Sequence, residues 1–123
     1  MSAPHLQAQA QAFKAGADLS SHQFKLVKYG ATPQEVILCG DAEKPCGILM
    51  NAPKSGEVAE VAIAGGFKAK VTSSVNAGES CASGASGVGR TAVAGEWSIG
   101  MFQDDGASGD VVPVQIDFHQ LDA

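Results

Sequence analysis

Apolar positions in this chain fall into short runs broken by Gly, Pro, Asn and Asp. No run of helical periodicity long enough for an amphipathic helix is present. The segment His22–Tyr29 (HQFKLVKY) alternates partially around Phe24 and Leu26, and Gly30-Ala31-Thr32-Pro33 follows as a turn. Short strands are predicted over Glu35–Cys39 and Gly47–Met50, with the polar turn Gly40–Pro45 between them. The clearest strand runs from Gly56 to Gly65, with Val58, Glu60 and Ala62 on one face and Val61 and Ile63 on the other. Phe67, Ala69 and Val71 then point inward against Lys68 and Lys70. Gly65-Gly66 has hairpin-turn chemistry, which predicts a β-hairpin of residues 57–64 and 67–73.

Residues 76–90 read as loop. Strands are predicted at Thr91–Ala94, Trp97–Phe102 and Asp110–Phe118, the last alternating Val112, Val114, Ile116 and Phe118 against Val111, Pro113, Gln115 and Asp117. Pro113 lacks a ladder donor, which predicts an edge strand or a bulge there. About eight short strands with Gly turns predict an all-β barrel or sandwich. Residues 1–12, polar and Gln/Ala-rich, read as a mobile arm ahead of a β domain at 13–123, with Phe13 the first anchoring side chain.

Composition narrows this further. A chain of 123 residues is one domain. With 15 Gly and only 6% aromatic residues, its core is expected to be thin and built of Val, Ile, Leu and Ala, a kind often helped by oligomerising or docking. Net charge is −5, and the negative charge sits in the C-terminal half, where Arg90 stands alone against seven acids. That balance argues against a nucleic-acid partner, which requires clustered Lys and Arg. No apolar run reaches the roughly 20 residues of a membrane span. The opening MSAPHLQAQAQA lacks the basic start and apolar centre of a signal peptide, so synthesis in a reducing cytoplasm is expected.

Candidate chemistry is thin. Gly84-Ala85-Ser86-Gly87-Val88-Gly89 lacks the Lys and the strand-to-helix setting of a phosphate loop, and reads as a turn. Cys39 and Cys46 are too widely spaced for a zinc pair, and His5, His22 and His119 are scattered, so no metal or cofactor is expected. Cys81 beside Glu79 has no evident activating base. Ser20-Ser21-His22 and Asp117-Phe118-His119 set hydroxyl, acid and imidazole near one another without a nucleophile elbow. Trp97, the sole tryptophan, reads as an oligomer or core anchor.

Several blocks recur here in a familiar order. They are the opening Phe13–Ser20, the strand Phe24–Lys28, Gly47–Pro53, Gly56–Ala62, Val75–Glu79, Gly89-Arg90 and Gly109–Val114. In that order the chain resembles the capsid decoration (cement) proteins of tailed bacteriophages, similar in role to the lambda head decoration protein, over residues 13–118. It departs from the usual pattern at Ser80–Val88, where small residues replace an acidic stretch.

The resemblance implies a small single-domain β-barrel, β-tulip-like, of short antiparallel strands with a flexible N-terminal arm. It implies a non-enzymatic homotrimer on the outer capsid surface of the virion, binding the major capsid protein of the expanded head and bridging its subunits. On that reading residues 2–20 pair with a capsid edge. Phe13 plugs an apolar pocket, and Lys14, Asp18, Leu19, Lys25 and Lys28 contact the shell. The alternatives are a β-rich virion-surface module, such as a fibre base or a carbohydrate-binding domain, and a small hydrolase using His22 or Cys81.

Overall fold

The structure is a computed structural model that describes residues 8–121. Nine strands form one continuous sheet: β1 (Gln9–Ala15), β2 (Leu26–Tyr29), β3 (Glu35–Leu38), β4 (Gly47–Leu49), β5 (Val58–Lys70), β6 (Ser80–Ser83), β7 (Gly89–Thr91), β8 (Trp97–Phe102) and β9 (Val111–Gln120). Their spatial order is β1-β3-β2-β4-β5-β9-β8-β6-β7. A further β1–β5 pairing closes the first five into a barrel. All ladders are antiparallel except β1–β3, where Lys14 pairs with Glu35 and Ala15 with Val36 in parallel. The remaining strands form a second sheet along β5, which curls back so that Val71 bridges Gly89.

The hairpin expected at Gly65-Gly66 does not form. β5 runs unbroken for 13 residues and belongs to both lobes. Residues 58–64 pair with β1, and residues 65–70 pair with β9. Gly65 has φ 79°, a conformation that strains a residue with a Cβ. The glycines therefore mark where one strand passes from barrel to second sheet, the other use of Gly inside a strand.

Sharing strands between lobes explains the adjacent apolar pairs. Val27, Leu49 and Val61 fill the barrel with Phe13, Ala15, Leu19, Val36 and Ala59. Their neighbours Leu26, Ile48 and Ala62 point out of the barrel wall into a second core with Ile99, Phe102, Val112, Val114 and Ile116. Strands buried on both faces lose clean alternation. Burying each Leu, Ile or Phe in these cores contributes roughly 1.5–3 kcal/mol.

Other expectations shift in detail. Of the arm expected over 1–12, Gln9–Ala12 lie in β1, and residues 1–7 are outside the described residues. The strand placed at Thr91–Ala94 sits two residues earlier, at Gly89–Thr91. β6 falls inside the segment expected to be loop, since Ser, Cys and Ala give no β-branched pattern, yet Cys81, Ala82 and Ser83 are all buried. β9 is not an edge strand, since it lies between β5 and β8. Pro113 is accommodated there because its carbonyl accepts from Gln103 N (2.9 Å), one residue past the end of β8. Its N and O face that same neighbour, so the missing donor falls where the ladder ends.

Candidate interaction surfaces

The structure scatters the six proposed contact residues. Phe13 is 5% exposed and Leu19 1% exposed, both inside the barrel. Neither can plug a partner's pocket, because each is already the filling of its own. β5 takes one edge of β1 from Gln9 to Lys14, and β3 takes the other edge at Lys14 and Ala15. Lys14 and Asp18 are exposed and Lys25 half-buried. Asp18 is spent locally: its Oδ1 accepts from Ser20 N at 3.0 Å, and hydrogen bonding at Ser20 lowers its pKa. Lys28 is also committed, its Nζ lying 2.8 Å from both Glu43 oxygens.

Trp97 is not a core anchor. It is half-buried at the start of β8, with Lys44 Nζ 4.4 Å over its ring. With Tyr29, Pro45, Cys46 and Phe118 it lines a shallow depression between barrel and second sheet. Tyr29 is 62% exposed and also meets Phe13 edge-on at 5.9 Å.

A second surface cluster was not flagged by sequence. Phe24 and Phe67 stack at 5.7 Å, and Lys68 Nζ stands 5.6 Å from the Phe24 ring. Lys25 and Lys70 line the adjoining depression. Phe67 packs against the second core as its inward position predicts, and its ring still reaches Phe24; the cluster is silent in the sequence because Lys68 and Lys70 lie far from Phe24 in the chain.

Besides the shared β5 and the second core, Arg90 links the two lobes by side-chain bonds. Its guanidinium makes two 2.7 Å bonds to Glu96 and one of 3.1 Å to Asp41 in the barrel loop. Those bonds to Arg90, followed by Val93 N, hold Glu96 down from 4.5 to about 2. A depressed carboxylate stabilises the fold above its unfolded pKa and loses that contribution as pH falls through the folded value. Urea stability should therefore decline between about pH 5 and pH 2, and Glu96→Gln should flatten that part of the profile. An unchanged slope in the variant would contradict this assignment.

The hydrolase residues are used structurally. His22 Nδ1 accepts from Lys25 Nζ (3.0 Å), and burial, then Lys25, lowers its pKa. His119 Nδ1 bonds the Asp117 carbonyl at 2.8 Å. Cys81 is fully buried, and burial pushes its thiol up to about 12. Cys46 is pushed to about 12 and Cys39 upward by the same cause. Since the thiolate is the reactive form, all three native thiols should react with Ellman's reagent at pH 8 at least tenfold more slowly than in urea. One fast stoichiometric thiol in the native protein would reverse that conclusion.

In the Gly84–Gly89 turn the amides serve the fold: Gly84 N donates to Val88 O (2.6 Å) and Gly87 N to Gly84 O (3.2 Å). That leaves these two donors committed rather than turned towards a phosphate.

No family model matches the chain, and no curated protein sequence matches it. Among solved structures, the chain is similar to the N base of the head fiber gp8.5 of bacteriophage phi29. The TM-score is 0.73 at 13% identity, covering 95% of this chain and 100% of that one. At that identity the likeness establishes a common fold, a barrel extended by a second sheet.

Proposed function

We propose that this chain is a non-enzymatic structural protein of a tailed-phage virion, carried on the outside of the head and bound to its major capsid protein. The observation that supports this reading is the fold likeness, which spans the whole of a head-fiber base and nearly the whole of this chain. The sequence blocks that resemble capsid decoration proteins point to the same location independently.

On this reading the chain acts as a homotrimer that bridges capsid subunits. A symmetric oligomer on a symmetric shell gains avidity without new chemistry. Selective binding to the expanded shell stabilises that state by about 3 kcal/mol per site at a hundredfold excess over Kd. Of the residues first assigned to the contact, Lys14 and Lys25 remain open to a partner. A second reading, favoured by the neighbour's identity as a fiber base, makes the chain the platform of a projecting fibre.

Mixing the purified chain with expanded and unexpanded heads of its phage, then sedimenting and imaging them, tests both readings. Threefold density on expanded heads is expected. A projection rising from that density selects the fibre base, and heads left bare refute the proposal.

A further inference from the structure

Phe24 has an unusual backbone. Its φ is 71°, in the left-handed region where a bulky side chain is strained by roughly 1–3 kcal/mol. Two backbone bonds hold it there: Phe24 N donates to Leu49 O (2.9 Å), and its carbonyl accepts from Lys70 N (2.8 Å). Phe24 is partly exposed, and its ring stacks on Phe67, which is itself partly buried against the second core. Val111, 37% exposed, pairs with Lys70 beside it.

Around this apolar centre stand Lys25, Lys68 and Lys70. Among the described residues, no carboxylate lies within salt-bridge distance of any of their ammonium groups, whereas Lys28 and Arg90 are paired. Lys68 is positioned by the Phe24 ring and Lys25 by His22. An aromatic centre inside a polar, solvent-accessible rim is the anatomy of a protein–protein interface, and charge complementarity at the rim steers the partner. In a chain of net charge −5, three unpaired cations gathered on one patch mark where an acidic partner is tolerated.

We infer that Phe24, Phe67, Lys25, Lys68 and Lys70 form a docking patch for a carboxylate-rich protein surface; resting on the function proposed above, that surface belongs to the capsid shell. Nucleic acid is the poorer fit. Useful affinity for it takes around six to ten phosphate contacts, and three lysines on an acidic chain supply too few.

The test compares Lys68→Glu/Lys70→Glu with Lys44→Glu/Lys54→Glu, which carries the same net charge but places it elsewhere. Each is titrated against expanded heads, and hexaglutamate is mapped on the wild-type chain by NMR shifts. The patch variant is expected to lose about tenfold in head affinity relative to the control variant. Wild-type binding should also weaken as salt rises. Hexaglutamate should shift residues 24–25 and 67–70. Equal head binding by the two variants, or hexaglutamate shifts centred elsewhere, overturns the patch. Duplex DNA displacing hexaglutamate from these residues overturns the acidic-protein assignment. Heads that ignore the wild-type chain while hexaglutamate still maps to the patch refute the capsid reading and leave the patch supported. Melting temperatures of both variants confirm that they are folded.

Discussion

Replacing Phe13 by alanine is expected to destabilise the chain by about 3–5 kcal/mol, the range for truncating a buried phenylalanine. The ring is 5% exposed and packs in the barrel with Leu19, Val27, Val36, Leu49 and Val61. Its β1 backbone also carries the barrel's closure, pairing Phe13 with Ala59 on one side while Lys14 and Ala15 pair with β3 on the other. Losing the ring therefore opens a cavity at the seam where the sheet joins itself. The change should appear as a shifted urea midpoint with nearly constant slope, and Lys14→Ala next to it should change the unfolding free energy by no more than about 0.5 kcal/mol. A Phe13 that served a partner's pocket would behave oppositely, leaving the melt unchanged and weakening head binding. The two readings of this residue are thus separated by one denaturation curve.

The misreading of Phe13 shows what local pattern can and cannot reveal. A lone aromatic after a polar stretch looks the same in sequence whether it fills its own barrel or another protein's. The difference lies in β5, more than forty residues away, and in a parallel pairing to β3 that no periodicity signals. By contrast, Asp110–Phe118 is legible, because Val112, Val114 and Ile116 give one face to one core, although Phe118, expected on the same face, stands 37% exposed past the end of that core. Leu26-Val27, Ile48-Leu49 and Val61-Ala62 gave strands without register, since both faces are buried. The surface was least legible. Lys28 looked like a free cation until folding brought Glu43 against it, while Lys68 and Lys70 looked like ordinary outward positions until Phe24 arrived beside them. Phe24 itself could not be flagged, because a left-handed φ at a phenylalanine is imposed by its two tertiary backbone bonds and not by its neighbours in sequence.

Gly100→Ala is expected to be the most damaging small substitution in the second sheet, costing at least about 3 kcal/mol or preventing folding. A Cβ at this position would stand 1.9 Å from the Gln115 carbonyl oxygen and 2.8 Å from its carbon. Both atoms are backbone of β9, so no rotamer change relieves the overlap and the strands must separate. They have little freedom to do so. The register of β8 against β9 shifts between Ser98 and Gly100, and the buried Ser98 hydroxyl locks that irregularity, accepting from Gly100 N (3.1 Å) and donating to Gly100 O (2.8 Å). Moving β8 outward would also withdraw Ile99 and Phe102 from the larger core. Gly78→Ala supplies the comparison. Its φ is 89° and nothing lies within 4 Å of its Cβ position, so it should cost only the roughly 1–2 kcal/mol of a left-handed alanine. Soluble yield and urea melts of the two variants measure the difference. Equal losses would mean that β8 and β9 yield as readily as a surface turn, and that the close approach at Gly100 does not fix how β8 pairs with β9.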